Sequence, residues 1–268
     1  MKMNKLLVEK NSGSDIKIKI GNKILGEKEK IVFSGPCAVE NYENMKDIAV
    51  KLKKIGVHAL RGGAFKPRTS PYDFQGLEKQ GLEILKSVGK ETGMIVSTEI
   101  MDTRDVEYAL DYIDIIQIGS RNMYNYSLLK EVGRTKAPII LKRGMSASIK
   151  EWVYAAEYIM REGNENVILC ERGIRTFETY TRNTLDLNAV AYIKEKYRLP
   201  VIVDPSHGTG LRELVHSMSL AGIMAGADGL IIESHINPEE AISDSRQTIN
   251  MESMEKILKN VKILEKII

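Results

Sequence analysis

Short apolar runs rich in β-branched residues recur along this chain, separated by longer stretches with helical spacing. The runs are Ile31–Ser34, Val57–Leu60, Met94–Thr98, Ile113–Ile118, Pro138–Leu141, Val167–Leu169, Pro200–Val203 and Gly229–Ile232. They are nearly continuous rather than alternating in polarity. That predicts strands buried on both faces, as in a parallel sheet covered by helices. Between them lie amphipathic stretches such as Lys46–Lys54 and Glu151–Met160. The last, Met251–Ile268, keeps Met254, Ile257, Leu258, Val261 and Leu264 at helical spacing. Eight such units predict an α/β fold closed into a (β/α)8 TIM barrel, with an open doubly wound sheet as the alternative.

A different period opens the chain. Ile16, Ile18 and Ile20 alternate with Lys17 and Lys19, and Gly21-Asn22 then turns into Lys23-Ile24-Leu25. Alternation across a two-residue loop predicts a β-hairpin. The expected organisation is an N-terminal hairpin extension over residues 1–30, capping one end of a catalytic barrel over residues 31–268.

Length and composition narrow the class. The chain has 268 residues, close to the ~250 typical of one such barrel. Its net charge of +3 gives no global field for nucleic acid, so affinity for anions must come from local clusters. The two cysteines, Cys37 and Cys170, make no disulfide framework, and the charged start, Met1 to Lys10, is no secretory leader. A cytoplasmic setting is expected. No apolar run reaches the ~18 residues that span a bilayer.

In a barrel of this type chemistry sits at the carboxyl ends of the strands. There this chain places two groups of residues. Arg61, Lys66, Arg68, Arg121, Lys142 and Arg172 are cations, a set suited to a substrate with several negative charges. Cys37, His207, Glu233 and Asp244 are metal-ligand types. Barrel closure makes the eighth strand a neighbour of the first, so residues nearly two hundred apart would meet. Each residue also has a plainer reading: a solvated cation, a small buried hydrophobe at Cys37, a hydrogen-bonded loop histidine at His207, an ion-pair partner at Glu233. Arg143 is excluded from the site, because adjacent strand residues face opposite sides. Cys170 reads as core, and His58, His216 and His235 as structural or surface residues. A thiolate, imidazole and carboxylate set together suits Mn, Fe, Co or Zn better than Mg or Ca.

Gly35-Pro36-Cys37, the run from Arg61 to Ser70, Gln117 to Asn122, Leu141 to Gly144, Glu171-Arg172-Gly173 and Asp204 to His207 together resemble the signatures of DAHP synthases. The likeness runs from about Ile31 to Gln247, and is to the short, type I beta branch that shares its lineage with KDO8P synthase. Ser120, Gly208 and Ser234 stand where many relatives have Ala, Ala and Val, departures that imply no loss of activity. The resemblance implies condensation of phosphoenolpyruvate with erythrose 4-phosphate, the first step of the shikimate pathway. It implies that Arg61 and Lys142 hold the phosphoenolpyruvate carboxylate. Arg121 and Arg172, with Gly119 and Ser120, would hold its phosphate. Pro67, Arg68, Thr69 and Asp244 would serve erythrose 4-phosphate. Lys66 would stand between the substrates as a catalytic group, with Glu99 near the reacting water. Cys37, His207, Glu233 and Asp244 would ligate a divalent metal.

Three rivals follow from the same residues. KDO8P synthase would take arabinose 5-phosphate, but that branch carries an Asn-containing loop where this chain has Lys66-Pro67-Arg68-Thr69-Ser70. A Schiff-base aldolase would use Lys142 and have no need of Cys37 or His207. A non-catalytic phosphate sensor would not need the full set of ligand residues. The resemblance further implies a homodimer or homotetramer. Regulated relatives carry an extra domain that thirty residues cannot form, so this chain alone is expected to show little inhibition by aromatic amino acids.

Overall fold

The computed structural model describes residues 5–68 and 70–268. Among them, strands β1 (Ile18–Ile20) and β2 (Lys23–Leu25) form an antiparallel hairpin. Then β3 (Ile31–Gly35), α1 (Tyr42–Ile55), β4 (Ala59–Arg61), α2 (Glu78–Thr92), β5 (Ile95–Glu99), α3 (Val106–Leu110), β6 (Ile115–Ile118) and α4 (Tyr126–Gly133) make the first half of a barrel. The second half is β7 (Ile139–Lys142), α5 (Ile149–Arg161), β8 (Val167–Glu171), α6 (Leu187–Lys196), β9 (Val201–Val203), α7 (Pro205–Thr209), α8 (Arg212–Met224), β10 (Gly229–Glu233) and α9 (Met251–Leu264). All eight barrel strands are parallel, and β10 pairs with β3 to close the ring.

The strands are buried throughout except at the ends of β5, which explains their unbroken apolar runs. Several begin one or two residues later than the apolar runs do. Val57 and His58, for instance, lead into β4: the His58 N–H donates to Val32 O, while His58 Nδ1 accepts from Val32 N–H. Helix boundaries follow local chemistry. Ser148 and Glu151 form a reciprocal capping box at the start of α5. Gly56 ends α1 in the left-handed conformation. Buried Trp152 on α5 donates from Nε1 to Leu141 O at 3.1 Å, fixing the backbone one residue before Lys142.

The hairpin lies at the end where strands begin. Ile18, Ile20 and Leu25 are buried, and Gly21 sits against Ile95, the first residue of β5. The segment before it is tied down by Glu157 of α5, whose carboxylate accepts from Leu7 N–H at 3.1 Å and Val8 N–H at 3.2 Å. Removing that acceptor strands two backbone donors. Glu157→Ala is therefore expected to cost about 1–3 kcal/mol of stability, read by urea unfolding. An unchanged midpoint would mean the segment docks without it.

Candidate active site

Strand register assembles the first cluster. Glu233 of β10 lies beside Gly35 of β3, two residues before Cys37. One ligand atom each from Cys37, Glu233 and Asp244 lies within 4.8 Å of the others, and Cys37 Sγ is 3.1 Å from Asp244 Oδ2. His207 on α7 turns Nε2 toward the same point, 3.5 Å from Glu233 Oε1 and 4.0 Å from Asp244 Oδ2. Its other nitrogen, Nδ1, bonds Asp204 Oδ2 at 2.8 Å. A carboxylate holding one ring nitrogen so that the other is presented is the usual second layer of a metal site. Asp244 adopts φ 54°, an uncommon conformation for a residue other than glycine, at the point where its carboxylate is delivered. Thiol, imidazole and two carboxylates converging in a buried corner fit a divalent transition metal.

Electrostatics favour the ligating forms of the imidazole and both carboxylates and oppose that of the thiol. Burial pushes the Cys37 thiol up to about 12, with Glu233 adding to the effect and Lys66 opposing it. Burial likewise lowers His207, against the pull of Asp204 and Glu233, leaving the neutral ring that ligation requires. Burial disfavours charge on Glu233 and Asp244 too. There the opposite charges nearby outweigh it and hold both carboxyls below their ordinary range. Arg61 is part of this balance: its Nη1 donates to Glu233 Oε1 at 3.1 Å and to Pro36 O at 2.7 Å. Glu233 thus both pairs with a strand-end cation and belongs to the cluster.

A basic cavity adjoins the cluster. Lys66, Pro67, Arg68, Glu99, Gly119, Ser120, Arg121, Lys142, Arg172, His207 and Asp244 line it, together with Asp73, Met145 and Arg182. Lys66 stands at the boundary, with Nζ 2.8 Å from Cys37 Sγ and 3.0 Å from Cys37 O. Lys142 Nζ donates to Asp204 Oδ2 at 2.6 Å. Arg172 is 4% exposed, and among the described residues no carboxylate pairs with it; its bond to Gly173 O is long, at 3.4 Å. Burial lowers its pKa. A buried guanidinium without a counter-ion is costly unless an anion arrives to complete it.

Glu99, at the end of β5, accepts weakly from Gln117 Nε2 at 3.4 Å through Oε2, and its buried Oε1 has no partner. Gly119 makes room for it: a Cβ there would stand 2.0 Å from that oxygen. Arg68 donates from Nε to Phe74 O and from Nη2 to Ser243 Oγ at 2.5 Å.

The structure therefore brings together Cys37, Lys66, Pro67, Arg68, Glu99, Gly119, Ser120, Arg121, Lys142, Arg172, His207, Glu233 and Asp244. Arg61 does not line the cavity; it is buried beside Glu233 and Pro36 O. Thr69 falls outside the described residues. Arg143 faces away, bound to Glu171 and Asp186 at 2.8 Å each, as strand alternation requires. Three polar residues of the site were not singled out from the sequence. Asp204 joins His207 to Lys142. Gln247 donates from Nε2 to Glu233 Oε2 at 2.5 Å. Arg182 reaches the cavity from the β8–α6 loop. Asp204 alone had a readable signal, an Asp-Pro helix start three residues before a histidine.

Comparison with known proteins agrees with this geometry. The profile of the DAHP synthetase I family matches residues 11–268. Phospho-2-dehydro-3-deoxyheptonate aldolase of Thermotoga maritima is 45% identical over 264 residues, covering 98% of this chain and 78% of the relative. The 2-dehydro-3-deoxyphosphooctonate aldolase of Geobacter sulfurreducens is 30% identical over 270 residues, covering 94% and 98%. A crystal structure of the Thermotoga maritima enzyme superposes with a TM-score of 0.95 at 44% identity, over 98% of this chain and 77% of that one. A truncated form of the Thermotoga maritima 3-deoxy-D-arabino-heptulosonate 7-phosphate synthase gives 0.90 at 41% identity, over 97% and 96%. The chain belongs to the DAHP synthetase I family.

Proposed function

We propose that this chain joins phosphoenolpyruvate to erythrose 4-phosphate and water, giving 3-deoxy-arabino-heptulosonate 7-phosphate and phosphate. The observation that carries this reading is a cavity walled by cations that adjoins a metal-type cluster and shares His207 and Asp244 with it, on a chain of this family. Lys142 takes the phosphoenolpyruvate carboxylate, with buried Arg61 adding positive field. Arg121 and Arg172, with the Gly119-Ser120 backbone, take its phosphate. Arg68 and Thr69 take the far phosphate of the acceptor. Holding two anions that repel each other in water is a large part of the catalysis.

Cys37, His207, Glu233 and Asp244 would hold the metal (Mn, Co, Fe or Zn), which when bound supplies Lewis-acid polarisation or positioning of the acceptor aldehyde. The methylene carbon of phosphoenolpyruvate attacks that aldehyde carbon. Lys66, beside Cys37, gives a proton to the new alkoxide. Water adds at the former enol carbon, and Glu99, whose Oε1 has no partner among the described residues, accepts its proton. The phosphohemiketal then releases phosphate by carbon–oxygen cleavage. A Schiff base at Lys142 fits poorly, because that ammonium is engaged by Asp204. A cytoplasmic homodimer or homotetramer completes the reading.

Erythrose 4-phosphate is expected to be preferred over arabinose 5-phosphate by about a hundred-fold or more in kcat/KM. Pro67 fixes its own φ and biases Lys66 toward an extended backbone. Lys66 N–H donates to Gln75 O at 2.8 Å, closing the loop on itself. Lys66 and Arg68 are thereby held at a set separation, and an acceptor one carbon longer loses either its phosphate contact or its aldehyde position. Misplacement by about an ångström costs on the order of a hundred-fold. Phosphate release with each sugar measures it. Arg68→Ala should raise the KM for erythrose 4-phosphate far more than that for phosphoenolpyruvate. Equal efficiency with both sugars would overturn the assignment.

A further inference from the structure

Arg182 is a cation of the cavity wall that the roles above leave unused. Its side chain is 41% exposed, yet its position is fixed from several directions. Its N–H donates to Thr209 O at 2.9 Å. The next residue, Asn183, donates from Nδ2 to His207 O at 2.8 Å. Both bonds tie this part of the β8–α6 loop to α7, the helix that carries His207. Gly210, at φ +70°, lies so close that a Cβ there would stand 2.4 Å from Arg182 Cβ. The guanidinium itself is oriented by two acceptors, Asp244 Oδ1 at 3.3 Å and Gln247 Oε1 at 2.9 Å, both reached by Nη1.

Those contacts leave donors free. Among the described residues, Nε and Nη2 of Arg182 have no hydrogen-bond partner. Arg68 shows the same pattern, with Nε and Nη2 engaged and Nη1 free. The two arginines come from different loops and bind adjacent residues: Arg68 holds Ser243 and Arg182 holds Asp244. One stretch of the wall therefore presents two guanidinium groups, each anchored at one edge with donors to spare. Asp244 separates its duties, with Oδ2 facing Cys37 and His207 and Oδ1 facing Arg182. Arg182 thus meets the Asp244 oxygen that does not face Cys37 and His207. With Arg68 taking the acceptor's phosphate, as proposed above, the distal end of the acceptor would reach this stretch of wall. Planar forks with free N–H groups suit a phosphate monoester.

We propose that Arg182 is a second arginine of the acceptor's phosphate site, working with Arg68 to set the length of sugar phosphate accepted. This rests on the condensation proposed above. Its test uses the full metal-loaded chain. Turnover of erythrose 4-phosphate by the unaltered enzyme comes first; its absence would sink the condensation reading and this assignment with it. Given turnover, Arg182→Ala is expected to raise the KM for erythrose 4-phosphate about ten-fold or more, the size of one partly hydrated charged hydrogen bond. The KM for phosphoenolpyruvate and the affinity for Mn should stay unchanged. Arg182→Lys should recover part of the loss and guards against a folding defect. Unphosphorylated erythrose supplies the sharpest comparison, because its slow turnover should not depend on Arg182. Equal losses with both aldehydes, or weaker Mn binding with an unchanged KM for erythrose 4-phosphate, would show that Arg182 only positions Asp244. An unchanged KM in Arg182→Ala would equally refute the assignment.

Discussion

Exhaustive chelation is expected to stop turnover, and Cys37→Ala is expected to leave a folded protein that cannot be reactivated by Mn, Co, Fe or Zn. The loss in the variant should be about a thousand-fold or more, since a Lewis acid contributes several kcal/mol at a reacting carbonyl. Cys37 is a cluster member that pairs with no arginine, although its Sγ also meets Lys66 Nζ, Asp244 Oδ2 and Ser243 Oγ. Glu233 also neutralises Arg61, and Asp244 also receives Arg182. Without the thiol, Lys66 keeps Cys37 O as an acceptor, and loss of one sulfur atom leaves only a small void, so stability should fall little. Elemental analysis after metal loading and gel filtration reads the effect directly: stoichiometric metal in the parent chain and almost none in the variant. An oxidised Cys37 should also fail to ligate, but burial and a raised pKa should make the thiol slow to react with peroxide. Full turnover by protein stripped of metal would remove the cluster from the mechanism.

Reading strand ends located most of this site because barrel geometry converts a one-dimensional rule into a three-dimensional one. Cys37, Glu99, Lys142, Arg172, His207 and Glu233 each lie at or just beyond the carboxyl end of a strand, and closure of β10 on β3 does the rest. Exclusion of Arg143 followed from alternation alone. What the sequence could not supply is how side chains share partners across strands. Arg61 ends a strand and is a cation, so it was expected in the cavity wall, but its guanidinium turns to Glu233 and Pro36 O. That choice depends on the register of β4 against β3 and on a rotamer, neither of which leaves a pattern in the chain. Arg182 and Gln247 were missed for a related reason. They sit in irregular loops far from any strand end, and only their tethers to α7 and Glu233 bring them to the site.

Asp204→Asn is expected to disable both halves of the site at once. The carboxylate makes three contacts: Oδ1 accepts from His207 N–H at 2.9 Å, and Oδ2 accepts from Lys142 Nζ at 2.6 Å and from the His207 ring at 2.8 Å. Burial opposes charge on it, but His207 and Lys142 outweigh burial and hold the carboxyl well below its ordinary range. An amide cannot replace it in either orientation. With the NH2 group toward Lys142, a buried ammonium faces a donor and loses its counter-ion. The same NH2 donates to His207 Nδ1 and moves the ring proton to Nε2, the nitrogen needed for the metal. With the amide reversed, the NH2 meets the His207 backbone N–H instead. Loss of a carboxylate behind a ligating histidine lowers metal affinity about 10–100-fold. Loss of the Lys142 partner adds to this through phosphoenolpyruvate binding, because removing one member of a buried pair costs about 3–5 kcal/mol. Together they should lower kcat/KM by about a thousand-fold or more, with Mn affinity and the KM for phosphoenolpyruvate both worsened. Titration of the stripped variant with Mn separates the two arms: raising the metal concentration should restore occupancy of the cluster but leave the phosphoenolpyruvate defect. A variant with the parent's Mn affinity and the parent's KM for phosphoenolpyruvate would show that Asp204 merely caps α7.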